Sequence, residues 1–389
     1  MDPSKVTIIV LNWNKRDALL DCLEGLRRAD LRGASVMVVD NGSRDGSADA
    51  VRARFPDTRV VGLPENRGYA GGNNAGMRLA LDAGAEAVVL LNNDTVVARD
   101  FLAPLLAAVE SPMTGGACSA IHRADRPEML DVAYSEVRFA QRNAVLLLGV
   151  NSLPGHGFET RCEIQIAVGC CLLLRADALR HVGLFDERYF AYHEDVDWCL
   201  RAHRLGYRLY YEPFSRVFHR PSSSTAPSER PPDSSGGPAD DDLPNAEPLP
   251  WNPVRTYLGA RNLIRLLRTY ATPAEQRSFV RSCLYEMPLE FFAVLYDRQG
   301  WMRLGRWGYG DVAHMMFVDH RPPLRSERPL LARLALLAVS APIDLLWTVP
   351  RLVRRARAHG RLTELRYQLS GFWDGVRGRP LPLEWLGLR

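Results

Sequence analysis

The chain has 389 residues, more than one ordinary domain requires, and its 47% hydrophobic content is that of a globular protein rather than a disordered or fibrous one. Net charge is only +4, and no nucleic-acid partner is expected. Seven cysteines, odd in number and without a C-x-x-C pair, argue against structural zinc and a disulfide framework and fit a reducing cytoplasmic setting.

The charge is uneven. Residues 251–389 hold 22 Arg against 11 acids, whereas the first 250 residues hold 27 basic and 34 acidic ones. An acidic front and a basic back suggest different partners. Lys5 and Lys15 are the only lysines, which reflects genome composition more than phosphate binding. Val6–Trp13 is too short and too soon polar to read as a signal peptide.

Val6–Leu11 is a β-branched apolar run that reads as a buried strand. Arg16–Arg28 follows as a helix with Leu19, Leu20, Leu23 and Leu26 on one face. The pattern repeats: strand Ser35–Val39, helix Ser47–Phe55, strand Arg59–Leu63, helix Gly72–Ala83, strand Ala87–Leu91, helix Phe101–Val109. This alternation predicts a parallel α/β sheet covered on both faces. Ligands of such sheets bind beyond the carboxyl ends of the strands. The polar clusters Asn12/Asn14, Asp40-Asn41, Asn66 to Asn74 and Asn92-Asn93-Asp94 all fall there.

Residues 114–161 read as irregular and extended. Ile164–Leu174 reads as one strand with a small-residue bend at Gly169-Cys-Cys171. Short helices are expected at Ala176–His181 and Asp195–Leu205, and extended segments at Arg208–Glu212 and Val217–His219. Pro221–Pro250 is rich in Ser, Pro, Asp and Gly and reads as a disordered linker, with an ordered lid as the alternative. The remainder, 251–389, reads as helical and basic. Its apolar run Leu330–Val349 is broken by Arg333, Pro342 and Asp344, so it is a poor membrane span. Two readings stay open: a kinked helix on an anionic membrane surface, and a core hairpin of two helices.

Each polar cluster has a plain and a chemical reading. Asp40-Asn-Gly42 is a tight turn or a carboxylate for a base or ribose. Asn66–Gly76 is a flexible connection or a glycine-rich turn at a phosphate; it is neither G-x-G-x-x-G nor a P-loop, which excludes a dinucleotide dehydrogenase and an ATPase. Asn92-Asn93-Asp94 is a strand-ending turn or a one-carboxylate site for a hard divalent cation. A lone His219 is more often structural than a ligand. Glu194, Asp195 and Asp197, set among Tyr189, Phe190, Tyr192 and Trp198, are a solvated first turn of a helix or the place of a general base.

Taken in order, Thr7–Asn14, Val39–Ser47, Asn66–Gly76, Leu90–Thr95 and Val182–Trp198, followed by Arg201, Gly206-Tyr207, His219 and an Arg261-Asn262 pair, resemble a family-2 glycosyltransferase with the nucleotide-diphospho-sugar transferase (GT-A) fold, in its rhamnosyltransferase-like branch. The resemblance covers about residues 1–270. It implies a catalytic domain over 1–220, with a donor half to about 111 and an acceptor half over 112–220, followed by the 221–250 segment and a helical C-terminal extension. It implies an inverting, nucleotide-sugar-dependent hexosyltransferase for cell-wall or polysaccharide biosynthesis, using Mg²⁺ or Mn²⁺. Its partners would be a nucleotide-diphospho-sugar donor, with dTDP-rhamnose as the branch's example, and a glycan or lipid-linked acceptor.

The implied residue roles follow the motifs. Asp195, with Glu194 beside it, matches the catalytic base. Asn12, Asn14, Asp40, Asn66, Gly68, Gly71, Asn73, Asn93 and Arg201 would border the nucleotide-sugar. Asp94 and His219 would hold the metal. Asn92 stands where the family's first metal acid usually stands, and His193 is one residue more than the family places between aromatic and Glu-Asp. The implied setting is cytoplasmic, with peripheral attachment at the inner face of the membrane. A non-catalytic relative of the same fold and a sugar nucleotidyltransferase are the competing readings; the latter would need a phosphate-grasping signature after Leu11, where only Asn-Trp-Asn-Lys15 stands.

Overall fold

The computed structural model describes residues 1–141, 144–220, 253–283, 361–384 and 386. The Pro221–Pro250 segment and the Leu330–Val349 run lie outside the described residues.

The front half alternates strand and helix as the apolar pattern dictates. β1 (Val6–Asn12), β2 (Ser35–Asp40), β3 (Arg59–Gly62) and β4 (Ala87–Asn92) are parallel neighbours in the order β4-β1-β2-β3. The joining helices are α1 (Arg16–Arg28), α2 (Ser47–Arg54) and α3 (Gly68–Asp82). Successive side chains of a strand face opposite sides. Ile9 therefore enters the core under α3 with Met77, Val39 and Leu90, while Ile8 and Val10 enter the opposite core with Leu19 and Leu23 of α1.

α3 starts four residues ahead of the expected helix, so most of the glycine-rich segment is helical. Its glycines let a helix lie directly on the sheet. A Cβ on Gly72 would stand 2.4 Å from Leu11 Cδ1.

Beyond β4, the short β5 (Thr95–Val97) and α4 (Leu102–Ala108) lead into the half of the sheet that the sequence hides. β6 (Thr114–Arg123) lies in the stretch read as irregular and extended, of which only the extended part holds here. It is a ten-residue strand whose first eight residues are buried. Thr-Gly-Gly-Ala-Cys-Ser carries little strand propensity, but small residues allow close backbone approach: a Cβ on Gly116 would stand 2.5 Å from the Leu173 carbonyl.

β7 (Leu130–Val132) pairs with β6, and β8 (Tyr134–Val137) with β9 (Val145–Leu148) form a separate two-stranded sheet. The expected single strand over 164–174 is two: β10 (Cys162–Ile164) at the sheet edge and β11 (Cys171–Arg175), antiparallel between β4 and β6. After α5 (Ala176–Val182) and α6 (Glu194–Arg204), the two expected extended segments form one strand, β12 (Arg208–His219), with a break in register between Glu212 and Arg216. The full order is β10-β12-β6-β11-β4-β1-β2-β3.

α7 (Pro253–Tyr270) and α8 (Arg361–Arg377) pack side by side in the same direction, Gly371 against Tyr257 and Gly375 against Arg261. Among the described residues no helix is long and apolar enough to cross a membrane.

Candidate active site

Register brings the strand ends together. Asn12 is paired with Asp40, and Leu11 with Asn92, so three polar strand ends lie side by side. Asn12 is fully buried and hydrogen-bonded on both sides: its carbonyl oxygen accepts from Asn93 Nδ2 (2.6 Å) and its Nδ2 donates to Ser43 Oγ (3.2 Å). Ser43 Oγ also accepts from the Asn14 amide (2.9 Å), and Asn14, at φ 51°, accepts from the Arg44 amide (2.8 Å). Asp40 accepts from the Ser43 amide (3.3 Å). Thus Asn12, Asn14, Asp40 and Asn93 form one network through Ser43.

Asn66 and Gly68 lie farther along this rim. Asn41 Nδ2 donates to Asn66 Oδ1 (2.9 Å) and to the Gly68 carbonyl (3.0 Å). Gly71 and Asn73 are inside α3, and Asn73 Nδ2 donates to the Tyr69 carbonyl (3.0 Å), a bond within the helix. These two residues therefore lie in a helix rather than in the open phosphate-binding turn the sequence suggested.

Asp94 and His219 meet because β5 pairs antiparallel with β12, Thr95 opposite His219. His219 Nε2 lies 3.5 Å from Asp94 Oδ1, and its Nδ1 lies 2.8 Å from Asp131 Oδ2 on β7. Burial works against the charged imidazole, but hydrogen bonds to Asp131 and Asp94 outweigh it and hold its pKa up at about 9. A hard carboxylate beside an imidazole suits a divalent cation. Binding there requires the neutral ring, so a cation would displace the Nε2 proton, while Asp131 keeps Nδ1 in place. Among the described residues no group of three or more His, Cys, Asp and Glu forms a metal cluster; Asp94 and His219 could offer two protein ligands, not a complete shell.

The acidic turn opens α6. Glu194 and Asp197 are buried, and Asp195 is partly so. Asp197 is committed elsewhere: it accepts from Arg201 Nε (2.8 Å) and from Tyr270 Oη (2.6 Å). Arg201 spends its remaining nitrogens on the carbonyls of Val182 (2.7 Å) and Leu184 (2.8 Å). Its guanidinium is therefore an internal brace, paired with the Asp197 carboxylate and not turned toward the strand-end network.

Asp195 Oδ1 accepts from the Val196 amide (2.8 Å) and Oδ2 from the Gly169 amide (3.0 Å). Burial raises its carboxyl above the ordinary range despite those bonds. Burial, then the neighbouring Asp195, pushes Glu194 well above it, and Glu194 Oε2 has no hydrogen-bond partner among the described residues. The extra His193 occupies the residue before α6 with φ 72°, so the loop absorbs it and the helix begins at Glu194.

One short bend ties the two chemical groups together. Gly169 donates to Asp195, the next residue Cys170 accepts from the Asn92 amide (2.9 Å), and Tyr69 Oη donates to the Gly169 carbonyl (2.7 Å). A side chain at position 169 would crowd the bend: a Cβ there would stand 3.2 Å from both Asp195 Oδ2 and Tyr69 Oη. Sequence reasoning passed over Tyr69, Asp131 and the Gly169 amide. Only the run of small residues at 169–171 hinted at the bend.

Residues 7–183 match the family model described as Glycosyl transferase family 2. The chain is 28% identical over 235 residues to the N-acetylglucosaminyl-diphospho-decaprenol L-rhamnosyltransferase of Mycobacterium tuberculosis, covering 56% of this chain and 76% of that protein. It is 26% identical over 227 residues to rhamnosyltransferase WbbL of Escherichia coli K12, covering 55% and 83%. A mannosyltransferase structure from Pyrobaculum calidifontis, in complex with GDP-Man and Mn²⁺, aligns with 96% of this chain and 88% of its own at 18% identity and a TM-score of 0.47.

Residues 7–183 thus carry a glycosyltransferase family-2 domain, and the relatives that match the chain include rhamnosyltransferases.

Proposed function

We propose that the protein is a metal-dependent, inverting glycosyltransferase that moves a sugar, rhamnose by analogy with its relatives, from a nucleotide-diphosphate donor to a hydroxyl of a glycan or lipid-linked acceptor. The observation that carries this reading is the Gly169-Cys170 bend, which couples Asp195 to the end of β4, next to Asp94. A base and a cation site on one rigid frame are what a single displacement needs.

Asp40 and the Asn12–Ser43–Asn14 network border the nucleotide. Asp94 and His219 hold Mg²⁺ or Mn²⁺, which when bound offsets charge on the leaving diphosphate. Asp195 takes the proton of the acceptor hydroxyl as that oxygen bonds to C1 of the sugar and the bond from C1 to the diphosphate oxygen breaks. Its raised pKa suits a base working near neutral pH. Burial and the neighbouring Asp195 raise the Glu194 carboxyl well above its ordinary range, which favours its neutral form beside Asp195. The described residues give no membrane-crossing helix; attachment to a membrane surface is a separate part of the proposal, supported by the excess of Arg beyond residue 250.

The test is a thermal-shift panel of nucleoside diphosphates and nucleotide-sugars with and without Mn²⁺. A Tm that rises with one nucleotide only when Mn²⁺ is present supports the donor site and names the base. No shift with any donor, and no transfer or donor hydrolysis, would instead favour a non-catalytic relative.

A further inference from the structure

α7 carries two polar residues in the middle of an apolar face, Arg261 and Asn262, exposed by only 5% and 0%. Burying such groups is costly unless their hydrogen bonds are made inside the protein. Here they are made to the loop that leads into α6. Asn262 Nδ2 lies 2.8 Å from each of the carbonyls of Tyr189, Ala191 and Tyr192. Arg261 Nη1 donates to the Arg188 carbonyl (3.0 Å) and to Asn262 Oδ1 (3.0 Å), which fixes the orientation of the amide. The remaining carbonyl, that of Phe190, accepts from the Ala70 amide of α3 (2.9 Å). Every carbonyl from Arg188 to Tyr192 thus faces a donor from outside the loop, the two hydrogens of Asn262 Nδ2 being shared among three of them.

The loop needs this grip. Phe190, Tyr192 and His193 have φ of 65°, 69° and 72°, a left-handed conformation that bulky side chains rarely adopt. Such a backbone persists only where its surroundings over-determine it. Two residues after His193 comes Asp195, whose carboxylate must face the Gly169 amide.

We propose that Asn262, braced by Arg261, is a positioning residue for the transfer reaction: it holds the Arg188–His193 loop so that α6 begins at Glu194 and presents Asp195 toward Gly169. The assignment rests on the reading of Asp195 as the base. It makes the first C-terminal helix part of the transferase site rather than an appendage.

The experiment uses the full chain with Asn262→Ala and with Asn262→Asp, which keeps the size but removes the amide donors. Hydrogen exchange over residues 186–198 should become at least about ten-fold faster, with the amides of β1 and β4 unchanged. With dTDP-rhamnose as donor, kcat should fall about 100-fold, the scale of a misplaced reacting group. The Mn²⁺-dependent thermal shift with thymidine diphosphate should stay that of the wild type. Unchanged exchange in the loop, exchange accelerated across the whole sheet, kcat within two-fold of wild type, or a loss confined to KM would each overturn the proposal. If the wild type transfers nothing from dTDP-rhamnose, the donor reading has failed, and the exchange arm alone decides whether Asn262 holds the loop. Should both variants fail to fold, Arg261→Lys carries the same comparison, because an ammonium lacks the guanidinium's fork and gives up part of the grip on Arg188 and Asn262.

Discussion

In β1, β2 and β4 the protein buries Ile8, Ile9, Val10, Val38, Val39 and Val88 to Leu91 on both faces of a parallel sheet. In β6 it reaches the same burial with Thr114, Gly115, Gly116, Ala117, Cys118 and Ser119. The first set is held by apolar area, the second by how closely backbones approach. The difference extends to chemistry. The front half presents a fixed amide network at strand ends, whereas the second half presents Asp195 on a helix whose lead-in loop is gripped from α3 and α7.

That contrast can be broken most sharply at Asp195. Asp195→Asn should lower kcat by about 10²–10⁴-fold, the usual contribution of a general base, and leave the nucleotide-dependent thermal shift intact. Turnover near the wild-type value would remove the base from α6. The reverse phenotype is expected from Asp94→Ala: loss of the Mn²⁺-dependent part of the shift, with the fold retained. Asp131→Asn, which touches only the far side of His219, should weaken Mn²⁺ binding by about 10–100-fold, read by calorimetry without donor. If Mn²⁺ affinity is the same in all three proteins, Asp94 and His219 are not its ligands.

The packing contrast is tested by stability. Gly116→Ala places a Cβ against the Leu173 carbonyl, which cannot rotate away, and should cost about 3 kcal/mol, at the upper end for overpacking. Ile9→Val, one methylene removed from the apolar core, should cost about 1 kcal/mol. Urea unfolding checks both. Equal costs would mean that β6 is looser than its burial implies.

The same contrast explains what could be read from the sequence. The donor-side strands were legible because branched apolar runs declare themselves, and their polar ends fall at the carboxyl edge by register. α3 was displaced by four residues because glycine reads as a turn signal, whereas here it marks helix-to-sheet contact at Gly72 and Gly76. β6 was hidden because glycine and alanine have no apolar periodicity. Of the candidate residues, Asp94 and His219 are brought within 3.5 Å of each other, although 125 positions separate them in the chain. For Arg201 the carboxylate partner is Asp197, and nothing in its spacing reveals that two carbonyls occupy its other nitrogens. Asp131 was passed over because a lone acid in an unassigned stretch carries no local signal.

The smallest expected effect is at Glu194. Its carboxyl is 5% exposed, raised well above the ordinary range first by burial and then by Asp195, and Oε2 lacks a partner among the described residues. A carboxyl whose folded pKa exceeds its unfolded value is protonated in the folded chain while the unfolded chain has already released its proton. Folding then binds a proton in that interval, so stability is fullest below the unfolded value, near pH 4, and declines as pH rises toward the folded one. Gln has the shape of the neutral acid and no proton to lose. Glu194→Gln should therefore match the wild type near pH 4 and melt higher by on the order of 2 °C at pH 8, while the slope due to Asp195 persists in both. Parallel Tm profiles from pH 4 to pH 8 would show that Glu194 is ionised in the folded protein, and Asp195 would then have a charged neighbour.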